Sequence, residues 1–234
     1  HSDTTLRLRP FFAFRNKHSL SKANMEANGR SYPIKGGVKC KLYEGYPWLY
    51  LQINKDAEFV AAPDWYYDFE YPEEIKRGYD GYEDLLTTGY FEMPIRKGES
   101  IIFSAATDEM ATEDTISQIY EASIARRTHK IDFLSCLHHS ARQFIVRRAG
   151  GRTEMVAGYP WYGTVGRDTL ISLPGIVLEQ GYKEDCMDVL DTMVAGMRDG
   201  DFAGSASARV AADAPLWFFW TLQNLEPHIG AKEL

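Results

Sequence analysis

A chain of 234 residues, 44% of them apolar, is long enough to bury a real core and reads as a soluble globular protein of one large or two modest domains. The net charge of −7, with acidic and basic residues interspersed, offers no basic stripe to neutralise phosphates, which sets nucleic acid aside as a partner. No run approaches the roughly 18 apolar residues of a membrane span, since Leu170 to Leu178 is broken by Ser172 and Pro174.

The chain opens at His1 without a methionine and enters Leu6-Arg7-Leu8-Arg9 at once as strand, with no signal peptide in view. Alternating apolar positions predict further strands at Trp48 to Ile53, Phe91 to Ile95 and Ile101 to Phe103. Gly36-Gly37, Gly45, Gly78, Gly81, Gly89 and Gly98 read as turns between them. The pattern implies an antiparallel β-domain. Near Asp108 the periodicity changes to that of helices. Thr112 to Arg127 and Lys130 to Arg148 carry helical spacing, the second with Leu134, Leu137, Ala141, Phe144 and Ile145 on one face.

Gly150-Gly151 interrupts this, and three helices are expected over Asp168 to Gln180, Lys183 to Met197 and Asp213 to Leu222, with Gly181, Gly200 and Gly204 at their ends. The first is apolar almost all round, through Leu170, Ile171, Leu173, Ile176, Val177 and Leu178, with Pro174 expected to kink it or mark a late start. The second carries one stripe, Met187, Leu190, Met193, Val194 and Met197. A buried helix followed by a one-sided one suits the inner and outer helices of an (α/α) toroid, which three helices cannot close. Asp213 is a plausible N-cap, with Pro215 tolerated in the first turn. Cys40, Cys136 and Cys186, an odd number at wide spacing, fit neither a disulfide framework nor a zinc site, and point to a reducing cytoplasm.

Two stretches carry a family resemblance: Gly158-Tyr-Pro-Trp-Tyr-Gly-Thr-Val-Gly-Arg-Asp-Thr-Leu-Ile-Ser-Leu-Pro-Gly175 and Asp213-Ala-Pro-Leu-Trp-Phe-Phe219. Both resemble the start of the catalytic domain of bacterial and archaeal glycogen debranching enzymes, which belong with the glucoamylase-like (α/α)6 barrels. Upstream, Leu8 to His18, Asp64 to Pro72 and Arg77 to Asp84 are similar to the second half of that family's N-terminal domain. The resemblance implies an α+β chain in two parts, a β-sandwich-like N-terminal portion followed by α-helices of an incomplete (α/α)6 toroid. The divisions are residues 1–108 for the β-rich domain, 109–150 for linker helices and 151–234 for the start of the glycosidase domain.

It further implies hydrolysis of single α-1,6-linked glucose stubs on glycogen or a related α-glucan, in the cytoplasm and without cofactor or metal. Inversion at the anomeric carbon places an acid and a base roughly 6.5–9.5 Å apart. In the family pattern both carboxylates lie beyond the segment matched by Asp213 to Phe219, so the chain is expected to be an internal fragment without them. One departure stands out: Val210-Ala211-Ala212 replaces an Asn-rich run, after a short loop from Gly200 to Arg209. A non-catalytic glucan-binding or structural fragment, and a trehalase-like or glucoamylase-like hydrolase, are the alternatives.

Arg167 and Asp168 are the leading candidates for sugar recognition. A planar guanidinium donates to vicinal hydroxyls while a carboxylate accepts from two more, and the resemblance assigns such a pair to the innermost glucose subsite. The competing reading is a helix N-terminus, with Asp168 or Thr169 as cap and Arg167 in a surface ion pair. Trp161, flanked by Tyr159 and Tyr162, offers flat faces for the C–H side of glucose, or else core packing. Trp217 is held evenly between sugar contact and core, Trp220 is assigned to the core, and Asp213 is either a hydroxyl ligand or a cap.

The cluster Trp65, Tyr66, Tyr67, Phe69 and Tyr71 reads as packing of the β-domain on the barrel in preference to an outer glucan subsite, and Glu70 to Glu74 as a solvent-facing run. His138-His139 point in different directions on a helix, which speaks against a shared metal. Gly204 to Ala208 lacks the flanking glycine of a nucleophile elbow.

Overall fold

The computed structural model describes residues 4–127, 129–148, 150–159, 161–202 and 211–229. The chain divides into two compact units, residues 1–126 and 127–234. The expected loop Gly200 to Arg209, its Gly204 to Ala208 segment and Val210 fall largely outside the described residues. No helix among the described residues is long and apolar enough to cross a membrane.

The first unit holds strands β1 (Thr4–Leu8), β2 (Ser31–Ile34), β3 (Gly37–Cys40), β4 (Leu49–Ile53) and β5 (Glu58–Glu70), a short helix α1 (Pro72–Lys76), strands β6 (Tyr82–Ile95) and β7 (Phe103–Ala106), and helix α2 (Glu113–Ala125). They form two antiparallel sheets, ordered β1-β6-β5 and β2-β3-β4-β7. Period-2 alternation sends Val38, Cys40, Leu51 and Ile53 from one sheet and Leu86, Phe91 and Met93 from the other into one core, joined by Phe12 and Leu42. Buried Gln52 is satisfied at both ends, donating to Lys35 O and Met110 O and accepting from Met110 N, which fastens the lead into α2 to β4.

Several expectations for this unit are corrected. Gly89 is no turn: it lies inside β6 at φ 151°, where a Cβ would stand 2.2 Å from Val60 O. The residue opposite it, Ala61, begins a bulge that runs to Asp64. The third expected strand starts only at Phe103, and Gly37 belongs to β3, leaving Gly36 (φ 71°) as the turn glycine. The aromatic run is the distal half of β5, with Tyr71 at the start of α1. Trp65 packs on the core, Tyr66 and Phe69 meet Phe11 edge-on, Tyr71 donates to Glu83, and Tyr67 is exposed.

The segment from Phe12 to Ala23 is tied to β6 through polar groups. Phe12 N–H donates to Leu86 O at 2.9 Å. Glu83, with no exposed side-chain surface, accepts from Arg15, from both the backbone N–H and hydroxyl of Ser21, and from Tyr71. Asp84 accepts from Ala23 N at 3.0 Å and Asp68 N at 2.9 Å. Asp68 sits at φ 55°, at the second bulge of β5, a conformation that Asp tolerates better than most residues.

The second unit contains α3 (Phe133–Arg142), the hairpin β8 (Ile145–Arg147) and β9 (Thr153–Met155), α4 (Gly166–Ile176), α5 (Lys183–Ala195) and α6 (Ala214–Leu225). The helix expected to reach Arg148 ends at Arg142. Its start is fixed by a capping box between Asp132 and Ser135, while Phe144 and Ile145 leave the helix to pack on the core. Leu134 and Leu137 of the expected apolar face are exposed, as is Phe133.

Likewise α4 is not apolar all round: Thr169, Leu170, Leu173 and Pro174 are buried, Ile171 and Gly175 exposed. On α5 the inward residues are Cys186, Val189 and Leu190, with Met187 and Met193 half-buried, while Val194 and Met197 of the expected stripe face outward. Pro174 does not mark a late start but occupies the last turn of α4, which ends at Ile176, short of the expected Gln180. A proline there has no N–H for the carbonyl four residues back, that of Leu170. The fully buried Thr221 of α6 fills the vacancy, its hydroxyl donating to Leu170 O at 2.7 Å.

Candidate functional site

Two helix N-termini in the second unit meet at the candidate residues. Gly166 opens α4 against Phe202: a Cβ on Gly166 would fall 1.6 Å from Phe202 O, so only glycine permits this approach. Phe202 in turn stacks on Phe218 of α6, centroids 4.9 Å apart and planes 20° apart. The first turns of α4 and α6 are thereby held side by side.

Arg167, half-exposed in the first turn of α4, places Nε 3.0 Å from Asp213 Oδ2 at the start of α6. The same oxygen accepts from Trp217 Nε1 at 3.0 Å. Asp213 stands at the N-cap position of α6, yet its carboxylate makes no capping bond, which corrects that reading. The indole N–H of Trp217, opposed by burial and aided by the Arg167 charge, holds the Asp213 carboxyl below the usual carboxylate range. The group is therefore an ionised acceptor that fixes a guanidinium on one side and an indole on the other.

Trp217 is half-buried against the core and meets Trp220 edge-on at 5.5 Å. Trp220 is 39% exposed, so its assignment to the core is corrected. With Leu216 and Phe219 it forms an apolar outward face on α6.

Asp168 is exposed, and the cap of α4 is Val165, without a side-chain bond. Neither Asp168 nor Thr169 is the cap, and among the described residues Asp168 has no ion-pair partner. Its negative charge lies in the first turn, where the helix dipole favours it. Trp161, Tyr159 and Tyr162 are exposed on a tight loop closed by Tyr162 N to Gly158 O at 2.8 Å and Ala157 N to Gly163 O at 3.0 Å. Thus Arg167, Asp213 and Trp217 share one cluster, joined by an ion pair and a hydrogen bond, with Asp168 beside it and Trp161 on the preceding loop.

Sequence reasoning missed Phe202, Phe218 and Thr221. Gly166 next to an Arg-Asp pair was a signal of close backbone approach, and Pro174 inside a helix signalled that an outside donor was needed. Among the described residues no group of three His, Cys, Asp or Glu is placed to hold a metal ion.

Two family descriptions match the chain: Glycogen debranching enzyme N terminal over residues 1–102, and Amylo-alpha-1,6-glucosidase over residues 139–230. No curated protein and no solved structure matches it. With matches to both halves in chain order, and most of its residues covered, the chain belongs to the glycogen debranching enzyme family.

Proposed function

We propose that this chain serves the hydrolysis of α-1,6-linked glucose stubs on glycogen or a related α-glucan, in the cytoplasm and without a cofactor. The observation that carries the reading is the Arg167–Asp213–Trp217 cluster, within the residues matched to amylo-α-1,6-glucosidase. A fixed guanidinium with free N–H groups can donate to two sugar hydroxyls. The neighbouring Asp168 accepts, Asp213 holds the donor in place, and Trp217 and Trp161 offer aromatic surface to the C–H face of a pyranose.

In this reading the helices of the second unit belong to an (α/α)6 toroid, and the sheets of the first form a sandwich-like domain. The cluster binds and orients. Asp213, kept ionised by its two donors, is poorly suited to protonate a leaving oxygen, so the acid and base of the inverting step, roughly 6.5–9.5 Å apart, are assigned to none of these residues.

Calorimetric titration of the 234-residue chain with an α-1,6-branched maltooligosaccharide tests the proposal. Arg167→Ala is expected to weaken binding by roughly tenfold to a hundredfold, the loss of a charge-assisted hydrogen bond. Equal affinity in wild type and variant refutes it. In a glucose-release assay on limit dextrin the chain alone is expected to bind without turnover, and measurable turnover would overturn the assignment of acid and base.

A further inference from the structure

Besides the Arg167 cluster, with which it shares Phe202, the second unit contains a cavity of about 320 Å³ between the β8–β9 hairpin and the C-terminal part of α5. Its floor is apolar, made by the buried Met155, Val189 and Phe202 with the half-buried Met193. Its rim is charged. Glu154 is held there from two directions, by Arg148 Nε at 3.0 Å and by the Thr164 hydroxyl at 3.1 Å. Arg148 uses only Nε in that pair, so its outer amino groups remain available. On the same rim the exposed guanidinium of Arg152 has no ion-pair partner among the described residues.

Two guanidiniums against one carboxylate leave a net positive charge above an apolar floor. Guanidinium groups with open N–H donors match the geometry of an oxyanion, and phosphate above all. Glu154, fixed by its two donors, keeps lone pairs for ligand hydroxyls. The volume stands at the small end for ligand pockets, which suits a single ring and not an extended chain.

We propose that this cavity binds a phosphorylated hexose unit, with the phosphate on Arg152 and the outer amino groups of Arg148, hydroxyls on Glu154, and the ring over Met155 and Met193. The hexose part rests on the glucan reading above; the oxyanion part does not. A free hexose phosphate and a phosphate ester carried on a glucan share this chemistry.

Calorimetry on the 234-residue chain with glucose 6-phosphate, glucose, inorganic phosphate and a phosphorylated maltooligosaccharide decides the matter, with circular dichroism to check that each variant folds. Glucose 6-phosphate is expected to bind at least roughly tenfold more tightly than glucose or phosphate, and to lose about tenfold or more in Arg152→Ala. Met193→Trp, which fills the floor, is expected to abolish binding, and Arg167→Ala to leave it unchanged. Comparable affinity for the phosphorylated oligosaccharide identifies a glucan-borne source, and much weaker affinity a free one. No binding at millimolar concentration, equal affinity for inorganic phosphate, or an unaffected Arg152→Ala overturns the proposal. Loss of branched-glucan binding alone would sink the glucan reading while leaving hexose phosphate bound at Arg152.

Discussion

Replacing Glu83 by Gln should destabilise the first unit, and by an amount that depends on pH in a defined way. Burial by itself would raise the Glu83 carboxyl. It is overridden by hydrogen bonds from Arg15, the Ser21 backbone, Tyr71 and the Ser21 hydroxyl, which bring the group from its ordinary 4.5 down to about 2. At roughly 1.4 kcal/mol per pH unit, the difference between folded and unfolded chains contributes about 3 kcal/mol at pH 7.

The sign follows from the folded value being the lower one. The contribution is fully present above the unfolded value of about 4.5 and drains away as pH falls toward 2, leaving about 1 kcal/mol at pH 3. A Gln cannot ionise and leaves the Arg15 guanidinium without its counter-charge. Hydrogen exchange of β5 and β6 peptides, read by mass spectrometry in wild type and Glu83→Gln, reports the local opening free energy of this unit. The gap between the two proteins is expected to be about 3 kcal/mol at pH 7 and to shrink by about 2 kcal/mol at pH 3. An equal gap at both pH values would refute the argument, since only an ionised, depressed carboxylate gives that slope.

Other perturbations have equally specific outcomes. Thr221→Val should cost about 1–3 kcal/mol in urea unfolding by stranding the buried Leu170 carbonyl, and the double variant Pro174→Ala/Thr221→Val should recover most of it because the alanine supplies the missing backbone N–H. Gly89→Ala must resolve a 2.2 Å clash with Val60 O at φ 151°, and is expected to lose about 1–3 kcal/mol of protection in β5 and β6 amides. Cys40 and Cys186 have thiols pushed up by burial to about 12. Iodoacetamide should therefore label only Cys136 in the native protein and all three cysteines in urea, as counted by intact mass.

Sequence reasoning found the regular elements where one physical signal dominated. The alternation in Trp48 to Ile53 marked β4 because one face of that strand is core, with Leu51 and Ile53 buried. It overlooked β5, whose aromatics are interleaved with acids and whose register is reset by two bulges, so no simple period of two survives over its 13 residues. Phe144 and Ile145 extend the apolar spacing of α3, and that spacing predicts helix through them. A run of two or three apolar residues fits either period, and only the Gly150-Gly151 turn, at φ 85° and 79°, gives the hairpin away.

The site divides along the same line between local and tertiary information. That Arg167 and Asp168 sit in the first turn of a helix was readable, because a glycine-opened motif and an apolar run follow one another there. An ion pair was one of the two readings of the guanidinium, and it forms; its partner was not readable, being Asp213, 46 positions downstream, at 3.0 Å. Nothing in the composition around Asp213 distinguishes a cap from an ion-pair partner, since both need an acid just before a helix. The outcome is set by packing. Phe202 stacked on Phe218 and the bare backbone of Gly166 bring the two helix starts close enough that the Asp213 carboxylate is drawn to Arg167 and Trp217 instead of to its own helix. Substituting Gly166 would push Phe202 away and part the two helix starts without touching a charged group, so the orientation of Arg167 depends as much on a missing side chain as on the carboxylate that holds it.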